Sequence, residues 1–168
     1  MKILTPTNFS ICAASALDYT AFLAEKLHAA ILLVHVLPAV RTPERAVFAS
    51  NKKAAASLEA AAAYWRSKGY RIETLLLNGH RASQIAGAAA DWGCRLIVMG
   101  LSSRRRIKDY MVGSLAERVI RLSQIPVLVV KEHKRKVKAQ PERAWKNQIK
   151  GGIGDAVLGQ IDIHQLKY

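Results

Sequence analysis

Cysteine is nearly absent from this 168-residue chain: there are two, Cys12 and Cys94. They lie too far apart, and without a neighbouring His/Cys cluster, to form a disulfide framework or a zinc motif, so two buried thiols in a reducing compartment are expected. Long hydrophobic runs are missing too. The best, Ala29 to Val40, is broken by His35 and Pro38 and falls short of the ~18–20 residues that span a membrane. No basic segment followed by an apolar stretch and a cleavage site opens the chain, so no secretory signal is expected and the predicted location is cytoplasmic. Acidic residues are scarce, 12 against 26 lysines and arginines. Core-forming residues are plentiful. At 51% hydrophobic and 23% charged, the chain is neither disordered nor low in complexity, and its length suits one domain.

The net charge of +14 is unevenly spread. Met1 to Val130 carries 17 basic and 8 acidic residues, whereas Lys131 to Lys150 packs 8 basic against 2 acidic into twenty positions. Such a balance attracts polyanions, whether nucleic acid, phosphorylated ligands or acidic membrane surfaces, without choosing among them.

Along the chain, hydrophobic periodicity alternates between short runs and helical stripes. Lys2 to Pro6 reads as a strand stopped by proline. Ala13, Ala16, Leu17, Thr20, Leu23, Ala24 and Leu27 form one helical face with Ser10 as its N-cap. Ile31 to Leu37 is a nearly continuous apolar run, as in a strand buried on both faces. Pro38 to Phe48 reads as a loop, and an alanine-rich helix follows from about Ala49 to Lys68, ended by Gly69. Arg71 to Leu77 is a third strand and Ala82 to Trp92 a third helix stopped by Gly93. Leu96 to Met99 is a fourth strand ending at Gly100, Ser114 to Leu122 a fourth helix, and Ile125 to Val130 a fifth strand. Strands alternating with helices predict an open α/β sandwich with a parallel sheet. Beyond Val130 the pattern dissolves into a charge run. Residues 132–168 are therefore expected to be a flexible basic extension of a domain over residues 1–131.

In open α/β sheets, ligands bind beyond the carboxyl ends of the strands. Three such ends stand out: Pro6-Thr7-Asn8, His35-Val36, and Met99-Gly100 with the loop to Gly113-Ser114. Gly113 and Ser114 open a helix, with Ser114 and Glu117 in capping-box spacing, and free N–H groups there can seat an anion. Arg104, Arg105, Arg106 and Lys108 lie between. His35 reads as a structural strand-end histidine. No nucleophile–base arrangement, paired carboxylates or phosphate loop of the Gly-x4-Gly-Lys-Ser/Thr type is present, so no enzymatic activity is predicted.

Ile3 to Ser10, Leu32 to Val36, Leu96 to Gly100, Gly113-Ser114 and Pro126 to Val130 together resemble, in order and spacing, the universal stress protein family. The resemblance covers Met1 to about Lys131. It implies a Rossmann-like three-layer sandwich of five parallel strands in order 3-2-1-4-5, and a homodimer through the edge strand Val127 to Val130. One branch of that family binds ATP through Gly-x2-Gly-x9-Gly-Ser/Thr after the fourth strand. Here Gly100, Gly113 and Ser114 stand in register, but the second glycine is Ser103 and the family's first-loop aspartate is Asn8. Carried over position by position, Pro6, Thr7, Asn8 and Val36 would face adenine and ribose. Met99, Gly100, Ser103, Arg104, Gly113, Ser114 and Leu115 would line the phosphates. The resemblance thus implies a stress-response sensor holding ATP, with Mg²⁺, without efficient catalysis. The rival expectation is a polyanion or protein interaction module, in which the segment Lys131 to Lys150 supplies the cations and Trp145 stacks on a base.

Overall fold

The computed structural model describes residues 1–39, 44–101 and 115–131, the side chains of 44–49 excepted. The order of elements is β1 (Lys2–Pro6), α1 (Ile11–Lys26), β2 (Ala30–Leu37), α2 (Glu44–Arg66), β3 (Ile72–Asn78), α3 (Arg81–Asp91), β4 (Leu96–Leu101), α4 (Leu115–Leu122) and β5 (Val127–Lys131). All strand pairs are parallel and the sheet order is β3-β2-β1-β4-β5, the expected α/β topology. The long helix starts earlier than expected. Residues 44–48, read from the sequence as part of a loop, are helical. Glu44 suits a first turn, where the helix dipole favours an acid, and a proline just before a helix is punctuation at its start rather than a continuing loop.

Alternation along the strands sorts the sheet into two cores. Ile3, Ile31, Leu33 and Val98 face Ala16, Leu17, Leu58 and Ala62 of α1 and α2. Leu4, Leu32, Val34, Ile97 and Met99 face Ile85, Ala89 and Val119 of α3 and α4. Both faces of the central strands are buried, which is why the strands are runs of Ile, Leu and Val without a polar period. The alanines let the helices settle close to the sheet. Among the described residues the buried polar side chains are Thr5 and Thr20. Thr20 donates to the Ala16 carbonyl at 2.8 Å, so its oxygen accepts from the Thr5 hydroxyl at 2.7 Å.

Three helices end in the same way. After α1, α2 and α3 the chain turns through a positive φ at His28, Gly69 and Gly93. In each case the following N–H reaches back five residues: Ala29 to Ala24, Tyr70 to Trp65 and Cys94 to Ala89. This is a Schellman-type stop. At Gly69 and Gly93 the sequence announces it. At His28 it does not, and there Arg71 adds a 2.7 Å hydrogen bond to the His28 carbonyl.

Two features shape the carboxyl end of the sheet. Pairing of β1 with β2 continues to Pro6 opposite Val34, but pairing of β1 with β4 stops at Leu4 opposite Ile97. The β1–β4 ladder therefore ends short of the strands' carboxyl ends, at the switch point where the direction of the crossovers reverses. Gly100 does not end β4, as its sequence position suggests; it lies inside the strand, beneath the first turn of α1. A Cβ there would sit 2.2 Å from the Cys12 carbonyl oxygen.

Gly100→Ala should therefore destabilise the ligand-free protein by about 1–3 kcal/mol, the usual cost of overpacking. Gly87→Ala, in α3 with nothing within 4 Å of the added carbon, should stabilise it by about 0.5–1 kcal/mol. Denaturant unfolding of the two variants checks the contrast.

Candidate functional site

The loop from β1 to α1 is a four-residue turn held by bonds from its own side chains and from β2. The Thr7 N–H donates to the Val34 carbonyl at 2.7 Å, extending the β1–β2 ladder by one bond. Thr7 Oγ1 accepts from the Phe9 N–H at 3.0 Å and Asn8 Oδ1 accepts from the Ser10 N–H at 3.2 Å. Ser10 has extended backbone and caps α1, its Oγ accepting from the Ala13 N–H at 3.3 Å. With one lone pair of Oδ1 used inside the turn, the exposed Asn8 amide offers outward its two N–H donors and a single remaining acceptor site. An aspartate here would offer a second acceptor oxygen instead.

Phe9 occupies the left-handed region at φ 58°, uncommon for a bulky side chain. Its ring lies against that of His35, centroids 4.7 Å apart and planes inclined by 35°. His35 Nδ1 is 2.7 Å from the Thr7 carbonyl oxygen. A carbonyl can only accept, so Nδ1 carries the hydrogen and Nε2 holds the lone pair of the neutral ring. Burial pushes the His35 pKa below its usual 6.5, the bond to Thr7 partly opposing this and the Arg81 charge reinforcing it.

The other expected site residues fall on both sides of the switch point between β1 and β4. Val36 and Met99 are buried together in the core beneath α3 and α4, so they can offer only an apolar floor. Pro6 and Thr7 are half-buried at the mouth, Gly100 is half-buried under α1, and Leu115 is exposed at the start of α4. Ser103, Arg104, Gly113 and Ser114, the expected phosphate side, lie outside the described residues, as do Arg105, Arg106 and Lys108. Within the described part, Pro6, Thr7, Asn8, Val36, Met99 and Gly100 gather around one strand end. Sequence reasoning missed Phe9, whose left-handed backbone has no residue-type signal. It gave His35 a structural role without its partner.

Cys12 and Cys94 are both buried and neither forms a disulfide. Burial pushes the Cys94 thiol pKa up, away from reactivity. Among the described residues no group of three His, Cys, Asp or Glu side chains could hold a metal, and no helix is long and apolar enough to cross a membrane.

Comparison with known proteins gives one consistent answer. Residues 1–131 match the universal stress protein family. The chain is similar to the universal stress protein YxiE of Bacillus subtilis, 30% identical over 145 residues, covering 77% of this chain and 98% of the relative. Among solved structures it is similar to a universal stress protein family member from Burkholderia pseudomallei, at 29% identity and a TM-score of 0.63 over 77% of this chain and 94% of that one. A universal stress protein from Archaeoglobus fulgidus, solved in complex with dAMP, is 26% identical with a TM-score of 0.59, covering 78% and 98% of the two chains.

The lowered His35 pKa sets a sign for the dependence of stability on pH. Folding favours the neutral ring, so its contribution is complete above the unfolded value of 6.5 and is lost as pH falls through that value toward the folded pKa. His35→Asn should flatten this acid limb. Unfolding free energies of wild type and variant at a series of pH values between about 8 and 5 read the difference.

Proposed function

The chain belongs to the universal stress protein family, and from that premise we propose that it is a non-catalytic regulatory sensor that binds an adenine nucleotide, foremost ATP. The observation that supports the proposal is the switch point between β1 and β4, where their pairing ends at Leu4 and Ile97 and where ligands seat in open α/β sheets. The similar protein from Archaeoglobus fulgidus was solved with dAMP, which supports an adenine nucleotide as the occupant. In this reading Pro6, Thr7, Asn8 and Val36 meet base and ribose, and Met99, Gly100, Ser103, Arg104, Gly113, Ser114 and Leu115 meet the phosphates.

Magnitudes divide the work. A helix N-terminus contributes about 0.3–1 kcal/mol to a nearby charge, whereas micromolar binding needs about 8 kcal/mol. Most of the affinity must therefore come from packing of the base, contacts to the ribose and the arginines of 104–106. No carboxylate stands in the β1–α1 turn or among residues 99–108. A Mg²⁺ would thus ride on the phosphates and its own waters, and no side chain there is suited to activate water for hydrolysis. Occupancy would change the surface offered to a partner.

The proposal extends to assembly. Strand β5 is a half-exposed apolar edge of Val127, Leu128, Val129 and Val130, flanked by exposed Ile120 and Leu122. Pairing with the same edge of a second copy satisfies its free backbone groups and forms a homodimer. Residues 132–168 form a separate basic extension of the domain, and the two thiols suit a cytoplasmic setting.

Thermal unfolding of nucleotide-stripped protein tests the reading. ATP–Mg²⁺ at about 100 times its dissociation constant should add about 2.7 kcal/mol. Inorganic triphosphate should give far less, and Gly113→Asp should abolish the response. No shift with ATP, or an equal one with triphosphate, would sink the reading and turn attention to residues 131–150. Sedimentation of the wild type should return twice the chain mass.

A further inference from the structure

The peptide unit of Thr7 is gripped from both sides by two consecutive residues of β2. Its N–H is held by the Val34 carbonyl at 2.7 Å, and its carbonyl by the His35 ring at 2.7 Å. The first grip is backbone to backbone and survives any substitution at 34 other than one that disrupts the strand. The second depends on a side chain. That same ring lies on Phe9, whose positive φ is costly for an L-residue. A backbone conformation of that cost persists where its surroundings over-determine it. The turn's own bonds, Thr7 Oγ1 to Phe9 N–H and Asn8 Oδ1 to Ser10 N–H, are local and exposed or half-exposed. The β2 side chain adds the long-range restraint.

We infer that His35 is a positioning residue of the nucleotide site: through Nδ1–H on the Thr7 carbonyl and its ring on Phe9, it sets the turn in which Thr7 and Asn8 meet base and ribose. The inference rests on the nucleotide reading above. Its chemistry is specific. Nδ1–H on the Thr7 carbonyl removes that oxygen from the turn's outward face. Thr7 Oγ1 and Asn8 Oδ1 each accept one bond inside the turn, so the side chains of the turn address a ligand with the Thr7 hydroxyl hydrogen, the Asn8 amide hydrogens and one remaining lone pair on each oxygen. Without His35 the turn regains a carbonyl acceptor and loses the wall behind Phe9.

Three variants separate the parts. His35→Asn places an N–H donor near the position of Nδ1 and lacks the ring; His35→Phe keeps a ring and lacks the donor; His35→Ala lacks both. In the full chain, calorimetric titration with ATP–Mg²⁺ should show about tenfold weaker binding for His35→Ala, the worth of roughly one hydrogen bond. Asn and Phe should each recover part of the loss. Amide exchange of the ligand-free protein should speed up at Phe9 and Ser10 in His35→Ala, return toward wild type in His35→Asn, and stay unchanged at core amides such as Leu32. The inference is overturned if His35→Ala binds ATP like wild type, or if exchange accelerates across the core as much as in the turn. A wild type that takes up no ATP would overturn the nucleotide reading itself, and the exchange measurement would still decide whether His35 shapes the turn.

Discussion

Everything at the carboxyl end of this sheet depends on how closely α1 lies on β4. The helix reaches Gly100 so tightly that a single added carbon would meet the Cys12 carbonyl oxygen. That approach fixes the first turn of α1 over the sheet and, with it, the four residues that lead there from β1. The alanines at 13, 16, 21 and 24, all buried, carry the same approach along the helix. Small residues are what allow it; bulkier ones would lift α1, and the Thr7–Ser10 turn would lose its place beside His35.

The fold was largely legible from residue patterns because its determinants are local and periodic. Five apolar runs alternate with four stripes, and Gly69 and Gly93 mark where helices must stop. Legibility failed where one residue type serves two ends. Pro43 reads equally as loop punctuation and as the last residue before a helix, which hid the start of α2. His28 ends α1 in a conformation usually given to glycine, so nothing in the residue type marks it. The reason for Gly100 was hidden too: its sequence position suggested a strand end, whereas its role is set by a helix almost ninety positions away in the chain.

The candidate site was legible as a set of positions and not as a shape. Resemblance to the family named Pro6, Thr7, Asn8, Val36, Met99 and Gly100, and the fold puts them toward the carboxyl ends of β1, β2 and β4 and in the turn after β1. Their presentation comes from hydrogen bonds that no spacing rule encodes. Asn8 illustrates this: its oxygen is turned inward to Ser10, so replacing an aspartate alters what faces outward while preserving the turn. Val36 and Met99 are buried in the core, which limits them to shape and apolar contact.

The hydroxyl pair of Thr5 and Thr20 carries a consequence for motion. Each is wholly buried; Thr20 keeps its bond to the Ala16 carbonyl wherever α1 stands, whereas the Thr5 hydroxyl is satisfied only at the helix's present height on β1. Sliding the helix by one turn would strand the Thr5 hydroxyl in hydrocarbon, at a cost of about 1–3 kcal/mol. The pair acts as a dowel between helix and sheet and opposes shear of α1 along β1. Any such displacement must begin by breaking the Thr5–Thr20 bond.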